Sequence, residues 1–442
     1  MNPQELAALN RTIAAVWHME SARIIAGLTR LVRDIGVAEE LAHDALVAAL
    51  EQWPQSGVPD NPAAWLTAAA KHRAIDLIRR RALHERQRDA ITWEIETRLQ
   101  DTAPDVEAEV AAALDNPIGD DLLRLIFIAC HPLLSREART ALTLRLLGGL
   151  TTDEIARAFL APEPTIAQRI VRAKRTLAEA RVPFELPPTA ELSERLASVL
   201  EVIYLIFNEG YAATAGADWT RPDLAEEALR LGRIVAQLAP QASEVHGLVA
   251  LMEIQASRLR ARIGPDGEPI LLLDQDRARW DALLIGRGMA ALQRAEDCAA
   301  AQSGQPGQQG LGPYTLQAAI AACHARARTA DETDWSRIAA LYEALAQRAP
   351  SPVVELNRAV ALAMAYGPAV GLEVADALRD EPQLKDYHLL PSVRGDLLQK
   401  LGRHAEAHAA FSRAAALTRN ERERALLLKR AEACAQQAAT AH

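Results

Sequence analysis

Apolar residues recur at helical spacing along almost the whole chain. From Ile13 to Trp53 they fall at Ile13, Val16, Ile24, Leu28 and Leu31, then at Leu41, Ala45, Leu46 and Leu50, which places a stripe on each helix facing a core. The stretch "PQSGVPDNPAA" breaks the pattern with Pro, Gly, Asp and Asn and reads as a loop. A second helical pattern, Trp65 to Arg88, grows steadily more basic through Lys71, Arg73, Arg79, Arg80, Arg81, Arg86 and Arg88. The sign then reverses. Glu94, Glu96, Asp101, Asp105, Glu107, Glu109, Asp115, Asp120 and Asp121 mark residues 91–119 as an acidic, self-repelling linker. Periodicity resumes at Leu122 and runs to about Val182, where "VPFELPP" stops it. Proline removes a backbone donor and pushes its predecessor out of the helical region, so a domain boundary is expected there.

Residues 184–442 read as a long helical array, interrupted by "GPDGEP" at Gly264 and by "SGQPGQQGLGP" from Ser303 to Pro313. Gly367 and Gly402 each separate two periodic helices and stand 35 positions apart, near the ~34-residue tetratricopeptide period. In "LLQKLGRHAEAHAAFSRAAAL", Leu398, Leu401, Ala405, Ala407, Ala410, Phe411 and Ala414 alternate large and small where stacked helices must approach closely.

One short segment, "TIAQRIVRAKRTL", concentrates Arg169, Arg172, Lys174 and Arg175 in an otherwise acidic protein. Drawn as a helix, it puts Ile166, Ile170, Ala173 and Leu177 on one stripe and Thr165, Gln168, Arg169, Arg172 and Thr176 on another face. Before it lies "LTTDEIARAFL", where Thr151 or Thr152 suits a helix cap and Ile155, Ala156 and Phe159 suit contact with Ile166 and Ile170. Two short helices joined by the turn "APEP", the second presenting Thr, Gln and Arg, describe a helix-turn-helix. In such a motif Arg pairs with guanine, Gln with adenine, and further cations with phosphate. Leu160 stands where a glycine is common, and Pro162 and Pro164 frame the start of the second helix.

Composition narrows the class. The 442 residues are half apolar and only 4% aromatic, rich in Ala, Leu, Arg and Glu, which favours an all-α protein of several domains. A formal charge of -9 disfavours nucleic-acid binding by the molecule as a whole and leaves it to local cationic clusters. The four cysteines are widely spaced, and no leader or membrane-length apolar run interrupts the sequence, so a cytoplasmic protein without a membrane partner is expected. No ligand spacing or phosphate loop calls for a cofactor or a metal.

These segments resemble the bacterial extracytoplasmic-function (ECF) sigma factors, the initiation factors that direct RNA polymerase to promoters. "GLTTDEIARAFLAPEPTIAQRIVRAKRTL" aligns without gaps on the family's fourth region, which reads the −35 element. "VAEELAHDALVAALEQW" and "PAAWLTAAAKHRAIDLIRRR" look like the second region, which docks on polymerase and engages the −10 element. The resemblance implies a region-two-like domain over 1–90, the 91–119 linker, a region-four-like domain over 120–183, and a tetratricopeptide-like extension over 184–442 as found in one subgroup. It implies −35 contacts at Thr165, Gln168, Arg169, Arg172, Lys174 and Arg175. It implies −10 contacts at Asn61, Lys71, His72, Arg73, Arg79 and Arg80, with a base-capturing loop over Gln55–Asn61. Glu39, Glu40, Leu41, Asp44 and Leu46 would lie on the polymerase-docking helix, while Trp65 and Ile75 suit the core. His72 replaces an asparagine usual in the family, which puts base readout there in question. Core RNA polymerase and promoter DNA are the implied partners, with a regulatory protein or ligand at the extension.

Two other classes fit parts of the chain. A polymerase-independent activator with a repeat-built sensor would need only the helix-turn-helix. An enzyme would need convergent carboxylates, for which Asp274, Asp276 and Asp281, or Glu201 and Glu209, are candidates; Arg277 and Arg279 beside the aspartates favour a structural ion-pair network instead. No catalytic residue is expected.

Overall fold

The computed structural model describes residues 3–93, 118–159, 161–212, 215–216, 219–265, 267–302 and 310–440. Residues 94–117 of the acidic linker, Leu160 in the helix-turn-helix turn and residues 303–309 lie outside them. The chain divides into two compact units, Met1–Val202 and Ile203–His442. The fold is all-α; the one sheet described is a parallel pair of two-residue strands.

The first unit begins with α1 (Pro3–Val32), α2 (Ile35–Ser56) and α3 (Pro62–Trp93). Asp34 caps α2, its Oδ1 accepting from Gly36 N at 2.8 Å and Val37 N at 3.0 Å. Ile13, Ile25 and Leu28 of α1 bury against Ala42, Ala45, Ala49 and Trp53 of α2 and Leu66, Ala70 and Ala74 of α3. The alanines let the helices approach closely, which is why a stripe of small and large residues suffices.

Then come α4 (Ile118–Ala129), α5 (Arg136–Leu146), α6 (Thr152–Ala158), α7 (Glu163–Glu179) and α8 (Thr189–Tyr211). Thr151 is the cap of α6: its Oγ1 accepts from Glu154 N at 3.2 Å and Glu154 Oε2 accepts from Thr151 N at 2.7 Å, a reciprocal capping box. Ile155 and Ala156 bury with Ile166, Ile170, Ala173 and Leu177, so the stripe read from the sequence is the inner face of α7. The division between the two compact units falls inside α8. Its first half is bound to α4 and α5, with Arg195 Nη2 donating to Phe127 O at 2.9 Å and Ser198 Oγ to Cys130 O at 2.9 Å.

The second unit runs through β1 (Ala215–Gly216), α9 (Pro222–Leu238), α10 (Ser243–Ala256), three short 3-10 turns within residues 259–279, α11 (Ala282–Gln302) and α12 (Pro313–Arg326). It continues with α13 (Trp335–Arg348), α14 (Pro352–Tyr366), α15 (Pro368–Ala377), α16 (Leu389–Lys400), α17 (His404–Leu417), β2 (Arg419–Asn420) and α18 (Glu421–Thr440). From α12 onward each helix packs on the next. Gly367 (φ 104°) turns the chain between α14 and α15, and Gly402 (φ 74°) between α16 and α17; both are in the region that favours glycine. A continuous core of Leu356, Leu372, Leu397, Leu398, Phe411 and Leu427 runs through these four helices into α18.

Candidate nucleic-acid and polymerase interface

On α7, Thr165, Gln168 and Arg172 are exposed and Arg169 is half-buried. Arg175 is exposed and donates from Nε to Glu179 Oε1 at 2.6 Å. Lys174 turns the other way. Its ammonium meets Glu39 of α2, a residue only 4% exposed. Of the six cationic and polar positions expected to read DNA on this helix, Lys174 is therefore the one committed inside the unit.

Glu39 is the centre of a cross-helix cluster. Arg145 of α5 donates from Nε to Glu39 Oε1 at 2.6 Å and from Nη1 to Leu150 O at 3.1 Å. Its Nη2 lies 2.9 Å from His43 Nε2, and His43 Nδ1 lies 2.9 Å from Glu39 O. Because a guanidinium only donates, His43 Nε2 accepts and Nδ1 carries the proton, which is the neutral tautomer. Burial pushes the Glu39 carboxyl up, but Lys174 and Arg145 outweigh it and hold the group below its ordinary value. Burial also depresses His43, and the cations of Arg145 and Lys174 add to that. No sequence pattern marks this cluster, since its members are spread from position 39 to position 174 and only the fold joins them.

The outer face of α2 differs from the expected docking set. Glu39 and Leu41 are buried and Leu46 is half-buried, whereas Glu40 and Asp44 are exposed. Beside them Val47 is 50% exposed and Leu50 is 42% exposed, two apolar side chains left unburied on a face edged by carboxylates. Leu50 thus departs from the core stripe assigned to it. Val47 was detectable in the sequence as an apolar residue three and seven positions beyond Asp44 and Glu40 on one helical face.

On α3, Asn61 caps the helix, its Oδ1 accepting from Ala64 N at 3.0 Å. His72, Arg79 and Arg80 are exposed; Lys71 and Arg73 are half-buried, with Arg73 Nη1 donating to Ala69 O at 3.1 Å. The side chains of Arg86 and Arg88 lie outside the described residues. Trp65 is half-buried and meets the buried Trp53 edge-on at 5.4 Å. Because α2 continues through Pro54 to Ser56, the connection to α3 is Gly57–Asn61, shorter than the Gln55–Asn61 loop expected.

Four of the five carboxylates considered for catalysis, Asp276, Asp281, Glu201 and Glu209, are occupied structurally, the two aspartates not by the expected ion pairs. Asp276 accepts from Ala278 N at 3.0 Å, and Asp281 from Leu283 N at 2.9 Å, so both cap helical turns rather than pairing with Arg277 and Arg279. Those arginines donate to backbone carbonyls of His324 and Arg260. Glu201 pairs with Arg136 and Arg139, and Glu209 with Arg221 at 2.6 Å. Among the described residues no metal-binding group of His, Cys, Asp and Glu assembles, and no helix is long and apolar enough to cross a membrane.

Known proteins bear on this geometry. The family model described as sigma-70 region 2 matches residues 18–83, and that described as sigma-70, region 4 matches residues 124–177. A family of unknown function, DUF6596, matches residues 195–296. The uncharacterized protein R00370 of Rhizobium meliloti (strain 1021) is 41% identical over 93% of each chain. The probable ECF RNA polymerase sigma factor SigI of Mycobacterium tuberculosis (strain ATCC 25618 / H37Rv) is 26% identical over 40% of this chain and 58% of its own. No solved structure matches. Helices carrying regions 2 and 4 in this order define a transcription initiation factor that binds core RNA polymerase and promoter DNA. The chain belongs to the ECF-type sigma factors with a C-terminal extension, in one family with R00370. Sigma factors are non-enzymatic DNA-binding proteins.

Proposed function

We propose that α2, α3 and α7 divide the work of this sigma factor among three exposed faces. Thr165, Gln168 and Arg172 of α7 read the −35 element, aided by Arg169 and Arg175 at flanking phosphates. Asn61, His72, Arg79 and Arg80 of α3 engage −10 DNA, with Lys71 and Arg73 beside them. Glu40, Asp44, Val47 and Leu50 of α2 dock on polymerase, an apolar centre rimmed by carboxylates. Glu39, Leu41 and Lys174 enter these contacts only when α2 and α7 part; Leu46 supports the docking face from beneath. The region-two-like part is residues 1–90, the region-four-like part 120–183, and the remainder a tetratricopeptide-like array that takes a regulatory protein or ligand. Such a factor works beside polymerase and its template, in the cytoplasm.

The observation that carries this reading is the exposed Thr165–Gln168–Arg172 face on a helix whose opposite stripe is fully buried. In vitro transcription with purified core polymerase over a promoter library tests it. The full chain is expected to select a discrete set of start sites, and Arg172→Ala is expected to lose −35 preference. Start-site selection indifferent to the chain, or to the α7 substitution, overturns it.

A further inference from the structure

The second unit holds arginines that no carboxylate among the described residues meets. Arg258, just beyond α10, is 5% exposed, and no side-chain hydrogen bond or ion pair engages it among the described residues. Its guanidinium lies 5.6 Å from the Trp280 ring centre and 6.0 Å from that of Tyr211. Arg262 stacks on the same Tyr211 ring at 3.9 Å and lies 5.6 Å from Trp219, and its Nε is also buried and unbonded. The indole N–H groups of Trp219 and Trp280 are buried without an acceptor. Arg277, 5.0 Å over Trp280, is committed elsewhere: it donates to His324 O at 2.6 Å, Ala327 O at 2.8 Å and Thr333 Oγ1 at 3.0 Å.

Among the described residues four buried donor atoms around two shared rings, Arg258 Nε, Arg262 Nε and the two indole N–H groups, thus lack acceptors, and two of them belong to charged groups, though Arg262 also has a side-chain hydrogen bond with Tyr211. Ring faces at 5.6 and 6.0 Å stand at the limit of cation–π attraction and do not offset the burial of a guanidinium. His324 and Tyr342 supply no negative charge: burial, then Arg258 and Arg277, push His324 down to about 3, and burial pushes the Tyr342 hydroxyl up to about 12. The capping aspartates Asp276 and Asp281 already accept from backbone N–H groups. What the group lacks is a multi-acceptor anion, and the planar guanidinium fork matches phosphate and carboxylate geometry.

We propose that Arg258 and Arg262, with the indole N–H groups of Trp219 and Trp280, bind an oxyanion, the phosphate or carboxylate group of a small ligand. The site needs neither polymerase nor DNA, so its test is separate from that of promoter recognition.

The test is thermal unfolding of the full chain titrated with sodium phosphate or, in a parallel arm, sodium acetate, with ionic strength held constant by sodium chloride. A saturable rise in Tm is expected in at least one arm, and the arm identifies the oxyanion. Arg258→Met is expected to remove the saturable rise while unfolding no earlier than the parent without anion. Trp280→Phe keeps the ring, deletes one donor and is expected to weaken the anion about tenfold. Absence of a saturable rise in both arms overturns the proposal, as does an equal rise in Arg258→Met. Should Arg258→Met fail to fold, unchanged affinity in Trp280→Phe overturns it and the tenfold loss upholds it.

Discussion

Glu39 shows how one side chain serves two regions. Its carboxylate is almost fully buried, and Arg145 at 2.6 Å together with Lys174 neutralises it. Removing one partner from such a group leaves uncompensated charge inside, which costs about 3–5 kcal/mol. Glu39→Gln is therefore expected to lower stability by about that amount in urea unfolding, with a second substitution, Lys174→Met, recovering part of it; additive losses would show that the two do not interact. The acid response has a definite sign. Both Glu39 and His43 titrate below their ordinary values, so their contribution is complete above about 6.5 and is lost as pH falls, first through His43 and then through Glu39. Stability should decline from pH 7 to pH 5, and His43→Gln should flatten the upper part of that decline. Arg172 is the contrasting case, exposed and without a hydrogen bond or ion pair of its side chain among the described residues. Arg172→Ala should leave stability within about 0.5 kcal/mol. Promoter affinity should fall in every salt concentration, and the slope of log affinity against log salt should shrink by about one unit.

At the scale of elements, what a helix buries was legible and what it leaves out was legible only in part. The stripe Ile166, Ile170, Ala173 and Leu177 is 0–5% exposed, because a 3.6-residue period leaves no other face for a helix seated on α5 and α6. The capping box at Thr151 follows from the Thr-x-x-Glu spacing in the same way. The Glu39 cluster and the arginines around Tyr211 were not legible: both join positions tens of residues apart, and no periodicity relates residues on different helices. Leu50 shows a second limit, since an apolar residue at core spacing is 42% exposed where α2 has no neighbour to cover it. The array beyond α13 makes its own demand on small residues. A Cβ at Gly371 of α15 would stand 2.5 Å from Ala359 O and 2.4 Å from Ala363 Cβ on α14, backbone and core with no room to yield. Gly371→Val is expected to cost about 1–3 kcal/mol through separation of α14 and α15. Hydrogen exchange should show the loss spreading to α16 and α17, whose core is continuous with theirs; loss confined to α15 would mean the array is not coupled.

At the scale of the first unit, the arrangement and the task differ in length. The −35 and −10 elements are about 25 base pairs apart, about 85 Å of duplex. A compact body of some 200 residues is only about 45 Å across. With Glu39 of α2 in contact with Lys174 of α7, the two faces proposed to read DNA belong to one such body and would not meet both elements of a straight promoter. The 24 residues from 94 to 117, which lie outside the described residues, set a covalent upper bound of about 80 Å on any such separation. On the proposed reading, polymerase docking and phosphate contacts would have to supply the energy for parting, against the cost of exposing Glu39 and the apolar contact of α1 with α4. Labels at Asp76→Cys on α3 and Ala178→Cys on α7, both exposed, report this distance once Cys298 is replaced by Ser. The free protein should give a short, narrow distribution, and core polymerase with promoter DNA should move it towards 80 Å. Glu39→Gln should broaden it before polymerase is added. A distance that stays short in a transcribing complex would show that α2 and α7 remain together on the promoter, and that the duplex bends to reach them.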